Sequence, residues 1–177
     1  GVYHLQNGTL ARWLSDQGAE HLARLARQVQ QESGHDPRMA LERFLLGTGL
    51  VPRPRLRVRP KQIVFRGIAS GKSGQSRLYV GKGRGRGYVF GTLYASDPWL
   101  RVEPERFSGQ PLDAVVSADT EADSEAQVTV DTRALTIGST PWQGAIYIDS
   151  NATEEPVEVP VRVRVVAEPS SVSRNLL

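Results

Sequence analysis

The chain has 177 residues, 39% hydrophobic and 23% charged, an ordinary balance for a folded domain and length enough for one large domain or two small ones. It contains no cysteine, which excludes disulfides and thiolate metal sites, and no run approaches the about 18 apolar residues of a membrane span. The net charge is only +3, but the eleven Lys and Arg between Leu50 and Ser96 meet no Asp or Glu there, whereas acids dominate from Asp97 onward.

Residues 1–50 read as three short helices. Leu10, Trp13 and Leu14 stand at i, i+3, i+4, and Leu22, Leu25, Ala26 and Val29 continue that spacing in a second run. Gly18 separates the two, and Ser33-Gly34-His35 ends the second. Asp36-Pro37 opens a third helix, with Asp36 as N-cap and Pro37 at the first helical position. Leu41, Phe44 and Leu45 form its stripe, and Gly47-Thr48-Gly49 ends it. Helices of about ten residues are not stable singly, so these three are expected to pack around a core of Trp13 and Phe44. Charge is balanced here, five basic residues against five acidic.

Residues 51–55, Val-Pro-Arg-Pro-Arg, are a stiff extended linker, because proline fixes its own φ and disfavours helix before it. From Leu56 the period becomes two. Strands are expected at 56–59, 63–65, 77–80, 88–94, 112–118, 126–130, 145–148 and 157–166, with turns at 70–74 and 81–87. In the last strand Val157, Val159, Val161, Val163 and Val165 face one way. Pro160 falls on the other face, which predicts an edge strand or a bulge. Asp97-Pro98-Trp99-Leu100-Arg101-Val102-Glu103-Pro104 reads as a corner, with Trp99 turned inward and Leu100 and Val102 alternating into the core. Short strands with turn signals at roughly ten-residue spacing give an antiparallel sandwich. Leu56-Arg57-Val58-Arg59-Pro60 is echoed by Leu100-Arg101-Val102-Glu103-Pro104, two strands of one domain ending alike. The fold class is therefore α+β: a helical mini-domain over 1–50, a linker over 51–55, a sandwich over 56–167 and a disordered Ser-rich tail over 168–177. The expected core is Trp13, Phe44, Trp99, Leu100, Val102, Ile146, Ile148, Val161 and Val163.

Three pieces in order, Leu56 to Pro60, Pro98 to Pro104, and Trp142-Gln143-Gly144-Ala145-Ile146-Tyr147-Ile148-Asp149-Ser150-Asn151, resemble the immunoglobulin-like sandwich modules of bacterial multidomain proteins. These are the BACON-type domains and similar modules appended to bacterial kinases and chaperone-like ATPases, and Val130-Asp131-Thr132 matches their acidic strand. The resemblance covers about residues 55–167. Leu10-Ala11-Arg12-Trp13-Leu14 and Leu22-Ala23 look like a small helical module of the same architectures. What the resemblance implies is an immunoglobulin-like fold, no catalytic constellation, and a spacer or a protein- or ligand-binding role, carbohydrate binding having been linked with BACON-type modules. It also makes 81–87 a glycine-rich hairpin turn.

The residues offer little chemistry of their own. His4, His21 and His35 lack the spacing of a metal site. Asp119, Glu121, Asp123 and Glu125 lack the glycine-containing loop of an EF-hand. Gly81-Lys82-Gly83-Arg84-Gly85-Arg86-Gly87 has neither P-loop nor dinucleotide-fingerprint spacing, and a strand follows it. Besides a turn, it suits phosphate contact through backbone N–H groups and charge, or an acidic protein partner.

Two functions follow. The first is a non-catalytic interaction or scaffolding module, with no cofactor and no metal, that binds another protein or another domain of a longer chain. An exposed Trp13 would favour it. The alternative is nucleic-acid or other polyanion binding by Arg53, Arg55, Arg57, Arg59, Lys82, Arg84 and Arg86, with Tyr79 or Tyr88 stacking on bases. A start at Gly1 without Met suggests a piece of a longer protein, and the lack of cysteine and of a signal peptide sets a cytoplasmic expectation.

Overall fold

The computed structural model describes residues 2–32, 36–108 and 123–168. The strand expected at 112–118, the Ser33-Gly34-His35 helix end, Asp119, Glu121 and nearly all of the tail lie outside them.

Four helices open the chain: α1 (Val2–Gln6), α2 (Thr9–Asp16), α3 (Glu20–Glu32) and α4 (Pro37–Gly47). The first has five residues, too few to show an apolar stripe, yet it places Leu5 in the helical core. Gly18 turns the chain at φ 76°, and the Ala19 N–H closes on the Leu14 carbonyl at 2.9 Å. The Asp36 carboxylate accepts from the backbone N–H groups of Arg38 (2.9 Å) and Met39 (3.1 Å) at the start of α4. The core is built on small residues, Ala11, Ala23, Ala26 and Ala40, with Leu5, Leu14 and Val29, and these let the helix axes approach closely. Phe44 packs half-buried against this cluster. Trp13 does not belong to the core: it is 56% exposed. Ala11 and Leu14 define the buried face of α2, and a residue two positions past Ala11 lies about 200° around the helix from it.

The rest is a two-sheet immunoglobulin-like sandwich. The strands are β1 (Leu56–Arg59), β2 (Ile63–Ala69), β3 (Ser73–Lys82), β4 (Phe90–Ala95), β5 (Leu100–Glu103), β6 (Arg106–Ser108), β7 (Ser124–Asp131), β8 (Trp142–Ser150) and β9 (Val157–Val166). One sheet has the order β1-β3-β7-β5, the other β2-β9-β8-β4-β6. Every described pair is antiparallel except β2 with β9. The echoed sequences are the two edge strands, β1 and β5, of the same sheet. Both end in a cis proline, Pro60 and Pro104. After each the chain changes sheet, to β2 and β6 respectively.

The inward faces interdigitate as the period of two requires. Leu100, Val102, Ile146, Ile148, Val161 and Val163 are buried in one cluster with Leu78, Val80, Val128 and Val130. Trp99 is 9% exposed and stands where the chain leaves β4 for the opposite sheet. Its carbonyl accepts from Asp131 N–H at 2.9 Å, which ties the corner to the end of β7. Gly144 makes room for it: a Cβ there would lie 2.8 Å from both Trp99 Cζ2 and Leu100 Cδ1.

The edge expected of the Pro160 strand is not observed. β9 lies between β2 and β8, and the register shift falls in β2, between Phe65 and Ile68. Proline is accommodated because the β2 register begins one residue later, at Ile63 opposite Val161. Pro160 is therefore paired only toward β8, opposite Ala145.

Val130-Asp131-Thr132 acts as a clasp. Thr132 is buried, and its hydroxyl lies 2.7 Å from the Lys72 carbonyl and 3.0 Å from that of Ala69. This fastens the β2–β3 turn to the end of β7. Asp131 accepts from Arg133, side chain and backbone, at the start of a one-turn 3-10 helix.

Two outcomes are expected. Gly144→Ala forces Trp99 or Leu100 off its packing position and costs about 1–3 kcal/mol, measurable by urea unfolding followed through tryptophan fluorescence. Arg133 holds the Asp131 carboxyl down, from 3.8 to about 2. Because the folded-state value is the lower, Asp131 favours folding above its unfolded value, and that contribution is lost as pH falls toward about 2. In Arg133→Ala the carboxyl should titrate higher, part of the way back to its ordinary value because the backbone N–H of residue 133 still donates to it, read by carbon-detected NMR of the side chain.

Candidate interaction surfaces

The seven basic residues singled out in the sequence do not form one open face. Arg57 donates from Nε (3.1 Å) and Nη2 (2.8 Å) to Asp123 Oδ1, both side chains partly buried. Arg53 donates to the Asn151 carbonyl at 3.3 Å and stands 3.9 Å from the exposed Glu154. Lys82 Nζ donates to the Gly85 carbonyl at 2.9 Å, closing the glycine-rich loop on itself. Arg59 lies apart, at the end of β1.

Arg86 has the most specific role. Its Nη2 donates to both carboxylate oxygens of Glu42, at 3.1 and 2.9 Å, and its Nη1 to the Pro52 carbonyl at 2.8 Å. Glu42 is on α4 and only 4% exposed. One guanidinium thus joins the loop, the linker and the helical unit.

Two further ties run the same way. The Tyr88 hydroxyl donates to Asp36 Oδ2 at 3.0 Å, so the N-cap of α4 also receives the sandwich. Burial, with that hydrogen bond, raises the Tyr88 phenol above its ordinary 10.0. The Arg43 guanidinium stands 5.3 Å from the centre of the Phe90 ring. Asn151 holds the exit of the loop, donating to the Tyr88 carbonyl (2.8 Å) and accepting from Phe90 N–H (3.0 Å).

The loop over 81–87 is consequently not a hairpin. β3 and β4 lie in different sheets, and the loop crosses between them beneath α4. Its glycines serve that crossing. Gly87 has φ 103°, and a Cβ there would lie 2.7 Å from Pro54 Cβ and 3.0 Å from Glu42 Oε1.

Arg55 and Arg84 are exposed, and neither has a side-chain partner among the described residues. With Pro52, Arg53, Gly85 and Arg86 they line an open cleft of about 430 Å³. The sequence reading missed Glu42, Asp36 as acceptor for Tyr88, and Asn151. The signal was an acid set directly beside the apolar stripe of α4, a position that needs a counter-ion once the helix packs.

A second surface lies on the helices. Trp13 lines an apolar hollow of about 350 Å³ with His4, Thr9 and Leu10. Tyr3 is 71% exposed and meets the His4 ring edge-on at 5.5 Å. Among the described residues no group of His, Asp and Glu is arranged to hold a metal ion, and no helix is long and apolar enough to cross a membrane. Asp123 and Glu125, from the acidic run, are paired with Arg57 and Arg77.

No protein-family model matches the chain, and no curated protein matches it. Among solved structures the sandwich is similar to WR4, an MSP family member of C. elegans, at 12% identity over 62% of this chain and 98% of that one, with TM-score 0.43. It is also similar to the ASH/PapD-like domain 7 of human CEP192, at 12% identity over 67% and 89%, with TM-score 0.46. The SrpA adhesin of Streptococcus sanguinis is similar at 11% identity over 67% and 60%, with TM-score 0.45. The first two are described as an MSP family member and a PapD-like domain, and no ligand or partner passes from so distant a likeness to this chain.

Arg86→Ala leaves Glu42 buried without its counter-ion. Folding stability should fall by about 2–3 kcal/mol, the lower side of what orphaning a buried charge costs, since Arg86 keeps some contact with water. Pairing it with Glu42→Leu should restore most of that loss. Thermal unfolding of the two variants beside the parent chain checks both.

Proposed function

We propose that the chain is a non-catalytic interaction module that binds another protein, or another domain of a longer chain, through the aromatic face of α1 and α2. The observation that carries the reading is Trp13. A small helical unit with a well-packed core leaves its one tryptophan largely in water, beside His4 and Leu10, with the exposed Tyr3 against the His4 ring. Tryptophan and tyrosine are the residues that most often dominate binding energy at interfaces, because each covers a large area for little conformational entropy. The fold does not need Trp13, and a partner would gain from it.

The Glu42–Arg86 contact supports the same reading. It fixes the helical unit on the sandwich, so the aromatic face is carried on a rigid platform. Rigid presentation lowers the ordering cost of binding. Nucleic-acid binding along the whole basic stretch has less support. Arg57 and Arg86 already bind carboxylates, and the Tyr88 hydroxyl is taken by Asp36.

A photo-crosslinking side chain in place of Trp13, irradiated in the cells the protein comes from, tests the proposal. One discrete adduct is expected, lost when Leu10→Glu is added and absent when the crosslinker replaces the exposed Tyr94. No adduct, or the same mixture from both positions, overturns it. Trp13→Ala should meanwhile cost the fold less than about 1 kcal/mol, against about 3–5 for a core tryptophan, by chemical denaturation.

A further inference from the structure

The cleft at the junction carries an inference beyond that reading. Its lining is Pro52, Arg53, Arg55, Arg84, Gly85 and Arg86: four arginines and no acid around about 430 Å³. Two of the four are held in place. Arg86 is fixed by Glu42 and the Pro52 carbonyl, and Arg53 by the Asn151 carbonyl. Arg55 and Arg84, the other two, have no side-chain partner among the described residues.

The backbone keeps these like charges together. Gly83 N–H donates to the Arg55 carbonyl at 2.7 Å, which pins the loop against the linker. Lys82 closes the loop through the Gly85 carbonyl. Gly85, at φ 118°, has nothing within 4 Å of where a Cβ would stand, so the loop backbone is open to a ligand. Glu42 answers Arg86, and the exposed Glu154 stands 3.9 Å from Arg53, so among the described residues Arg55 and Arg84 are the charges that an anion would relieve, with the two anchored guanidinium groups beside them.

We infer that this cleft binds a short phosphate chain, two or three linked phosphoryl groups. Guanidinium forks match phosphate oxygens two at a time. Several forks around one small volume suit several adjacent phosphoryl groups better than a single carboxylate. A nucleic-acid strand fits less well. The cleft lining contains no aromatic ring on which a base could stack, and the hydroxyl of the nearby Tyr88 is bound to Asp36. Phosphate chains of this kind occur free and as the tail of a nucleotide, and the cleft reads the chemistry they share.

Calorimetric titration of the whole chain at low and near-physiological salt tests this, with inorganic tripolyphosphate, ATP, a single-stranded oligonucleotide and sulfate as probes. Tripolyphosphate is expected to bind one site in the micromolar range and sulfate at least about tenfold more weakly. ATP equal to tripolyphosphate would mean the phosphate tail alone is read, and ATP binding tenfold tighter would mean a nucleotide; both support the inference. Arg55→Gln with Arg84→Gln should weaken tripolyphosphate by about a hundredfold, about tenfold for each lost charge-assisted contact. The melting temperature without ligand should stay the same or rise as repulsion is removed. No binding at about 1 mM overturns the inference. So does undiminished binding by the double variant, or binding lost instead in Arg162→Gln with Arg164→Gln on the far side of the sandwich. An oligonucleotide that outcompetes tripolyphosphate would assign the cleft to nucleic acid and overturn it equally.

Discussion

When α4 packs on its neighbours it takes Glu42 out of water, and a carboxylate so placed must be met by a positive charge. Arg86 meets it with two hydrogen bonds. That requirement sets the position of much else. The loop has to bring Arg86 beneath α4, so it crosses from one sheet to the other at that point rather than turning back as a hairpin. Gly87 has to be glycine, because Pro54 and Glu42 occupy the space of a side chain. Arg86 then reaches the Pro52 carbonyl and fastens the linker. A buried ion pair of this kind adds little net stability against an apolar contact of the same shape, while losing one partner is expensive. What it contributes is orientation. Tyr88 on Asp36 and Arg43 over Phe90 act in the same sense: the contacts between helices and sandwich named here are polar or cation–π and run through α4 and its cap.

The two cores are of different kinds, and this follows from their residues. The sandwich closes on β-branched and large side chains, Val128, Val130, Val161, Val163, Ile146 and Ile148, which fill the space between pleated faces. The helical unit closes on alanines. Alanine brings helix axes close but buries little area per residue, so four short helices draw part of their stability from contact with the sandwich. The junction is therefore a structural necessity for residues 2–47 as well as the place where chemistry gathers.

Much of the sandwich was legible because alternation and turn residues act locally. The corner at Trp99, the inward set of β9 and the capped start at Asp36 depend on neighbours a few residues away. The echo of β1 in β5 was legible for the same reason, and edge strands ending in proline explain it. What could not be read depended on distant partners. Trp13 sits at helical spacing from Leu10, but Ala11 and Leu14 decide which face is buried, and alanine gives a weak signal on any hydropathy pattern. Pro160 suggested an edge strand, since the sequence does not show that β2 begins pairing one residue beyond it. Of the candidate site, the sequence showed the basic loop. It did not show that one of its arginines belongs to Glu42, forty-four residues earlier.

Charge follows from the topology as well. Along the chain a wholly basic stretch is followed by a mainly acidic one, an arrangement in which the two halves can neutralise each other across one folded domain. The topology brings them together. β3, from the basic stretch, pairs antiparallel with β7, from the acidic one. Arg77 therefore meets Glu125, and the neighbouring β1 places Arg57 on Asp123. Exposed pairs among these contribute little to stability, but they cancel field. Among the described residues the topology sets basic segments beside one another in two places: the linker against the glycine-rich loop, where Arg55 and Arg84 lie, and β2 against β9, where Val64 pairs with Arg162 near Arg66 and Arg164. The first of these joins two anchored arginines, Arg53 and Arg86, to Arg55 and Arg84, which have no side-chain partner among the described residues. Set side by side by the linker and the loop, those two guanidinium groups are what the proposed phosphate chain would contact.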